Sequence, residues 1–158
     1  MIVEVKGSVL GAQCIAHQCN CVTVRAHGLA KTIADQYPWA DVYGQRTADG
    51  QRHRAKYADT PGTIKVEASK DVDKVVICMF AQWAPGKSGV YLRVYPGPVD
   101  DAAARLGWFK SCVDSIDALL LDEVAVPDHI GCGLAGGDWF RYKKLLEAAT
   151  TRFVVYKL

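Results

Sequence analysis

The sequence predicts an α/β fold in which a mostly parallel or mixed sheet carries helices on both faces. Short apolar segments alternate along the chain with segments whose apolar residues recur every three or four positions. This is the order of strands and helices in α/β proteins. Residues 75–80 form a continuous apolar run, which is typical of a strand covered on both faces.

The individual elements follow in order along the chain. Strands are predicted over residues 2–5, 13–19, 63–67, 74–82, 123–127 and 152–156. Helices are predicted from residue 26 to just before Pro38, over residues 100–120 and over residues 138–149. The first helix must stop there because a proline disfavours the helical conformation of the residue before it. No repeat or linker interrupts the pattern, so residues 1–158 are predicted to form one domain.

The charge balance gives little reason to expect a polyanionic partner. The chain of 158 residues has a formal net charge of +2, whereas nucleic-acid-binding domains usually carry a clear basic excess. The basic residues of segment 43–62 fit either a solvated loop or a phosphate-binding patch. Nucleic acid is therefore not expected as a partner, although a phosphorylated small molecule remains compatible with this charge.

The six cysteines indicate free thiols in a reducing compartment. No CxxC pair occurs, and most cysteines lie in apolar runs, where they act as small buried hydrophobic residues. The chain begins directly with a strand pattern and not with an export signal, so we expect a cytoplasmic protein. The apolar runs are far shorter than the roughly 20 residues needed to cross a bilayer, and no membrane partner is expected.

Two segments have the composition of ligand-binding loops. The first runs from a strand ending at Asn20, through a loop of small residues, to the start of the first helix, and includes residues 25–30. Unpaired N–H groups at a helix start attract anions, and an amide such as that of Asn20 can bind two sugar hydroxyls. The second, from Gly131 to Gly137, holds four glycines in seven residues between a strand and a helix. Glycines let the backbone approach a ligand closely.

Neither segment matches the phosphate-binding motifs of better-known nucleotide enzymes. The P-loop spacing GxxxxGK[ST] is absent, as is a GxGxxG motif followed by the usual acidic residue. A dinucleotide-dependent dehydrogenase is therefore disfavoured.

These same segments resemble the ligand loops of macro domains. The resemblance is carried by HQCN at residues 17–20, GLA at 28–30, YP at 37–38 and IGCGLAGGDW at 130–139. It extends over nearly the whole chain and is strongest for small members that process ADP-ribose 1''-phosphate. It implies a three-layer α/β/α domain with a mixed sheet, a cleft for ADP-ribose, and no metal or redox cofactor.

The resemblance also implies roles for individual residues. Asn20 would hold the distal ribose, and His17, Asn20 and Asp138 are the candidate catalytic residues. The candidate ADP-ribose-binding residues are Gly7, Ser8, Asn20, Arg25, Ala26, His27, Gly28, Leu29, Phe80, Gly131, Cys132, Gly133, Leu134, Ala135 and Gly136.

Three departures from the macro-domain pattern bear on ligand choice. Gly7 is followed by Ser8 where the family often has an aspartate that holds the adenine amine. The first loop has Ala26 and His27 where glycine is common, and no glycine follows Phe80. Lys87 is the nearest counterpart of a lysine found in some hydrolase branches.

Several of the candidates also have purely structural interpretations. His17 is either a core histidine or an acid–base group, and Asp138 is either the N-cap of the last helix or a catalytic carboxylate, or both. Cys132 lies between two glycines but has no evident partner base in the sequence, so a nucleophilic role is disfavoured.

The resemblance leads to a metal-independent hydrolase acting at the distal ribose of ADP-ribose. ADP-ribose 1''-phosphate is the first substrate expected and an ADP-ribosyl ester the second. The alternative is a non-catalytic module that binds ADP-ribose or a related nucleotide.

Overall fold

The computed structural model describes residues 1–158 and contains six strands and three α-helices. The strands are β1 (Ile2–Lys6), β2 (Cys14–Asn20), β3 (Ile64–Ala68), β4 (Val75–Gln82), β5 (Glu123–Pro127) and β6 (Arg152–Lys157). The helices are α1 (Gly28–Gln36), α2 (Ala102–Ala118) and α3 (Trp139–Ala148), with short 3-10 turns at Val9–Gly11 and Pro38–Ala40. Every strand and helix predicted from the sequence is present, with bounds that differ by one or two residues at most ends.

The six strands form one mixed sheet in the order β1-β6-β5-β2-β4-β3. All neighbouring pairs are parallel except β3 with β4, which is antiparallel at the edge. Pairing between β5 and β2 is limited to Ile15 and Ala125. Because the central strands run parallel, the loops that follow β2 and β5 leave the same edge of the sheet.

Helices cover both faces of the sheet, which confirms the predicted three-layer arrangement. One face packs on α1 through a buried cluster that includes Ile33 and Val42. The other packs on α2 and α3 through a cluster that includes Phe109 and Leu146. Residues 76–82 of β4 are all buried, as the continuous apolar run predicts.

Two helix ends differ from the predicted pattern. The first helix begins at Gly28 and not at residue 26, because His27 is extended (φ −136°, ψ 158°) and Gly28 has a φ of 57°. The prediction that the second helix extends to Leu120 is wrong by two residues. The helix ends at Ala118, and Leu120 has a φ of 55° and is 88% exposed. No helix in the structure is long and apolar enough to span a bilayer.

Candidate ligand-binding cleft

A cleft of about 320 Å³ lies at the carboxyl edge of the sheet, between the loops after β2 and β5. The loop after β2 brings residues 25–30 to one side, and the loop after β5 brings residues 127–135 to the other. Ten residues singled out from the sequence line it: His17, Asn20, Arg25, His27, Gly28, Leu29, Gly131, Gly133, Leu134 and Ala135.

The loop after β5 presents a set of free backbone donors to this cleft. No protein acceptor pairs with the N–H groups of Gly131, Gly133, Leu134 and Ala135. The loop keeps its shape through other bonds, such as Gly137 N–H to the Gly131 carbonyl at 3.0 Å. Gly131 has a φ of 75°, and an added Cβ there would lie 2.6 Å from Gln18 Oε1. A series of unpaired N–H groups in a turn is a characteristic anion-binding arrangement.

The N-terminus of α1 faces the cleft from the opposite side. Its N-cap residue, His27, makes no side-chain capping hydrogen bond, so the first N–H groups of the helix have no protein partner. Gly28, Leu29 and Ala30, which carry these groups, all line the cleft. The helix dipole adds a partial positive charge at this end, which favours an anion.

Two basic side chains border the same end of the cleft. Arg25 and His27 are exposed, and Arg25 Nη1 lies 3.2 Å from His53 Nε2 in the basic segment 43–62. The only carboxylate among the lining residues is that of Asp128. The cleft therefore combines free N–H donors, a helix start and two basic groups, which suits a phosphorylated ligand.

Comparison with solved structures places this architecture in a known fold. No protein-family model matches the sequence, and no curated protein matches it significantly. The macrodomain of Thermus aquaticus DarG matches with a TM-score of 0.67 and 20% identity, over 100% of this chain and 99% of that one. The chain has the macrodomain fold.

Two further macrodomains are similar over their whole length. The macrodomain of Mycobacterium tuberculosis DarG has a TM-score of 0.67 and 22% identity, covering 100% of this chain and 98% of its own. A macrodomain protein from Streptomyces coelicolor has a TM-score of 0.59 and 18% identity, covering 100% and 99%.

Within this fold, the side chain of Asn20 is bound to its own loop. Its Oδ1 accepts the N–H groups of Val22 and Thr23, each at 3.0 Å, and its Nδ2 donates to Thr23 Oγ1 at 3.0 Å. The amide thus shapes the turn after β2, and only one Nδ2 hydrogen is left for a ligand. Asn20 lines the cleft, but its carbonyl oxygen already accepts two backbone donors.

Arg46 fixes the same loop from below. Its guanidinium donates to the carbonyls of Thr23 and Asn20, each at 2.7 Å, and to Asp59 Oδ2 at 2.8 and 3.0 Å. The side chain is 6% exposed. Neither of the two interpretations of segment 43–62, a solvated loop or a phosphate-binding patch, describes all of it. Its residue Arg46 is buried and stabilises the loop after β2 through hydrogen bonds.

The imidazole of His17 lies at the floor of the cleft and is 3% exposed. Its Nε2 is 3.7 Å from the Sγ atoms of both Cys19 and Cys78. The contact with Cys19, together with burial, raises the pKa of the Cys78 thiol well above its ordinary value, so that thiol is protonated. His17 therefore contacts two cysteine sulfur atoms and has no carboxylate to orient it.

Asp138 has the geometry of a helix cap. Its Oδ1 accepts the N–H of Phe140 at 3.1 Å, and its Oδ2 lies 3.6 Å from Arg141 Nε. The side chain is 60% exposed and is not part of the cleft lining. The structure brings His17 and Asn20 to the cleft but leaves the Asp138 carboxylate outside it.

Six of the candidate binding residues lie away from the cleft lining. Ser8 Oγ accepts the N–H of Leu10 and caps a 3-10 turn. Phe80 is 2% exposed and lies in the core. Burial raises the pKa of the Cys132 thiol to about 11, which argues against a thiolate nucleophile. The six residues are Gly7, Ser8, Ala26, Phe80, Cys132 and Gly136.

The structure adds a cleft carboxylate that sequence reasoning missed. Asp128 follows β5 directly; its Oδ1 is buried without a hydrogen-bond partner, and its Oδ2 lies 2.9 Å from His129 Nδ1. His129 has a φ of 57° and stacks on Trp139 with ring centroids 5.1 Å apart. Backbone strain of this kind costs about 1–3 kcal/mol and is concentrated at functional sites. The available signal was an acidic residue at the end of a parallel strand.

Other lining residues were also missed: Gln18, Ala30, Tyr43, Gln82, Pro85, Gly86, Pro127 and Ile130. Among these, Gln18 Nε2 donates to Gln82 Oε1 at 2.8 Å, which joins β2 to β4 at the floor of the cleft. The Tyr43 hydroxyl accepts the Asn20 N–H at 2.9 Å, and burial raises the pKa of that phenol well above its ordinary value.

Proposed function

We propose that the cleft binds ADP-ribose, with its diphosphate between the two ligand loops. The observation that carries the proposal is the presence of two opposed sets of backbone N–H groups without protein acceptors. One set is Gly131, Gly133, Leu134 and Ala135, and the other is the first turn of α1. A diphosphate offers acceptors on two linked phosphorus centres, so one ligand would satisfy both sets.

Charge and cleft composition support the same ligand. Arg25 and His27 border the cleft next to the α1 N-terminus, where a doubly charged diphosphate would gain from both. At the cleft floor, the Asn20 amide keeps one free Nδ2 hydrogen, which a sugar hydroxyl can accept. The resemblance noted in the sequence implies ADP-ribose, and the macrodomain fold is consistent with it.

Calorimetric titration tests the binding proposal. ADP-ribose is expected to bind and to raise the melting temperature, because a ligand that binds only the folded state stabilises it by RT ln(1 + [L]/Kd). AMP is expected to bind much more weakly, since it lacks the second phosphate and the distal ribose. Absence of both heat and a melting shift at millimolar ADP-ribose would remove the proposal.

We further propose hydrolysis at the distal ribose, with ADP-ribose 1''-phosphate as the first substrate and an ADP-ribosyl ester as the second. Two observations favour turnover: His17 lies at the cleft floor, and the Asp128 carboxylate is part of the cleft lining beside His129. Free loop N–H groups would stabilise developing negative charge. A carboxylate near a bound phosphate can act as a base only through an intervening water.

A binding module without turnover is the second candidate, and specific contacts favour it. The Asn20 amide is occupied in its own turn, and the Asp138 carboxylate caps α3 outside the cleft. Two assays decide between the candidates: phosphate release from ADP-ribose 1''-phosphate, and release of ADP-ribose from an ADP-ribosyl ester. Binding with catalytic release supports the hydrolase, whereas tight binding with no release above the uncatalysed rate supports the module.

A further inference from the structure

Three soft metal ligands meet beneath the cleft, on the sheet face that packs against α1. His17 and Cys19 point from β2, and Cys78 points from the neighbouring β4. The parallel register pairs His17 directly with Cys78, and Cys19 is two residues further along the same face. Their exposed fractions are 3%, 0% and 0% respectively.

The spacing of these atoms matches that of ligands around one metal ion. His17 Nε2 lies 3.7 Å from Cys19 Sγ and 3.7 Å from Cys78 Sγ, and all ligand atoms lie within 4.8 Å of one another. A point equidistant from the three atoms is therefore roughly 2.1–2.4 Å from each, against typical Zn–N and Zn–S bonds of about 2.0–2.1 and 2.3 Å. Cys19 Sγ is equally far from both ring nitrogens, so the imidazole must rotate to direct Nε2 at this point.

We propose that His17, Cys19 and Cys78 form a binding site for a thiophilic d10 metal ion, with Zn²⁺ favoured over Cu⁺. Thiolate and imidazole ligands select these two ions among the biological metals. Binding breaks the two S–H bonds and releases both protons to solvent, as the thiolates and the neutral imidazole form bonds to the ion.

The charge balance accounts for the preference for Zn²⁺. Two thiolates neutralise its charge, and the neutral imidazole adds none, so the buried centre carries no net charge. The same ligands would leave Cu⁺ with a net negative charge, which is costly away from water. The three side chains leave the fourth position of a tetrahedral ion for a water molecule, as in zinc sites with three protein ligands.

This site does not depend on the diphosphate-binding proposal, although His17 also lines the floor of the cleft. The three ligands belong to the sheet and its core, whereas the diphosphate proposal rests on backbone N–H groups of the loops. A metal here would fix the imidazole of His17 and tie β2 to β4 directly below the cleft. Sequence spacing alone could not reveal it, since Cys78 is 61 residues from His17.

Cobalt substitution tests the proposal on the full chain, reduced and stripped with a chelator. The wild-type protein is expected to bind one equivalent of Co²⁺ with intense thiolate-to-cobalt charge-transfer absorption, and Zn²⁺ is expected to displace it. Zn²⁺ should also raise the melting temperature. Cys19→Ser and Cys78→Ser should each abolish the band. Cys14→Ser, on the opposite face of β2, is the matched control and should keep it.

The outcomes separate clearly. If the protein retains Cu⁺ against a competing chelator but does not retain Zn²⁺, the result supports the site and overturns the preference for Zn²⁺. No charge-transfer band in the wild-type protein together with no Cu⁺ retention overturns the site, as does full metal binding by folded Cys19→Ser. The wild-type spectrum alone is informative if the variants fail to fold, because the sulfur signature requires thiolate ligands.

Discussion

The guanidinium of Arg105 and the carboxylate of Asp100 form a paired, almost completely buried contact behind the cleft. Arg105 Nε donates to Asp100 Oδ1 at 2.7 Å and Nη2 donates to Oδ2 at 2.8 Å, with side chains 2% and 0% exposed. Arg105 also donates to the carbonyls of Gly86, Ala84 and Ala135, at 2.6, 3.1 and 3.3 Å. It therefore links the loop after β4 to the second ligand loop.

Arg105→Lys is expected to lower both stability and ADP-ribose affinity. A lysine keeps the charge but cannot reproduce the planar bidentate geometry or reach all three loop carbonyls. Breaking a buried pair typically costs about 3–5 kcal/mol, and because lysine retains the positive charge, the cost for this variant should lie at or below that range. Denaturant unfolding and calorimetry measure the two effects.

The matched control for Arg105→Lys is Lys110→Ala, which removes an exposed ion pair with Asp114 on the same helix. Exposed pairs contribute about 0–1 kcal/mol, so stability and affinity should hardly change. If Arg105→Lys behaves like this control, the buried pair does not support the loops.

Substitutions of Asp138 separate its capping from any chemical role. Asp138→Ala should lower the free energy of unfolding by about 1 kcal/mol through loss of the N-cap, whereas Asp138→Ser should restore it because serine caps a helix. Since the carboxylate lies outside the cleft lining, Asp138→Ser is expected to keep its ADP-ribose affinity. Full stability with lost phosphate release in Asp138→Ser would instead assign the carboxylate a catalytic role.

The hydrogen bonds of the Asp117 carboxylate lead us to expect that the fold loses part of its stability at acid pH. Burial raises the pKa of this carboxyl, but hydrogen bonds from Thr151 and Thr150 outweigh burial and hold the pKa below its ordinary value. A lowered pKa in the folded state contributes stability that is present above the unfolded pKa, near 3.8. That contribution is lost as the pH falls through the folded pKa.

Asp117→Asn should therefore flatten the loss of stability at acid pH, measured as the unfolding midpoint between pH 6 and about pH 3. Asp114→Asn, an exposed residue on the same helix, is the control and should leave the profile unchanged. Identical profiles for Asp117→Asn and the wild-type protein would contradict this assignment.

The cysteines provide a test of the redox environment. All six are unpaired in the structure, and most lie in the core. Thiol titration of the denatured, unreduced and metal-free protein is expected to give close to six thiols per chain. A result of zero would indicate three disulfides, and the expectation of a reducing compartment would then fail.

The elements were predictable because each has a simple local signal. Residues 75–80 are apolar without interruption and lie in the buried strand β4, and the apolar spacing around Phe109 gives α2. The glycine-rich segment 131–137 directed attention to the correct edge of the sheet.

Long-range polar contacts were not predictable in the same way. Arg105 and Asp100 look like an ordinary surface pair in sequence, and only packing shows that both are buried. Arg46 likewise appears as one basic residue in a polar loop, yet it donates to two carbonyls of the first ligand loop. Such contacts depend on which loops the fold brings together, and local spacing carries no information about that.

Gly133 offers the most direct test of the central claim that free loop N–H groups bind a diphosphate. An added Cβ at Gly133 meets no atom within 4 Å, and the residue lines the cleft, so Gly133→Val should fold normally and obstruct the ligand. Gly11→Val, also without neighbours within 4 Å and remote from the cleft, is the control.

Calorimetric titration of all three proteins with ADP-ribose is the deciding measurement. We predict tight binding by the wild-type protein and Gly11→Val, and at least a tenfold weaker Kd, about 1.4 kcal/mol, for Gly133→Val at an unchanged melting temperature. Equal affinity in Gly133→Val, or no binding by the wild-type protein, would contradict the account.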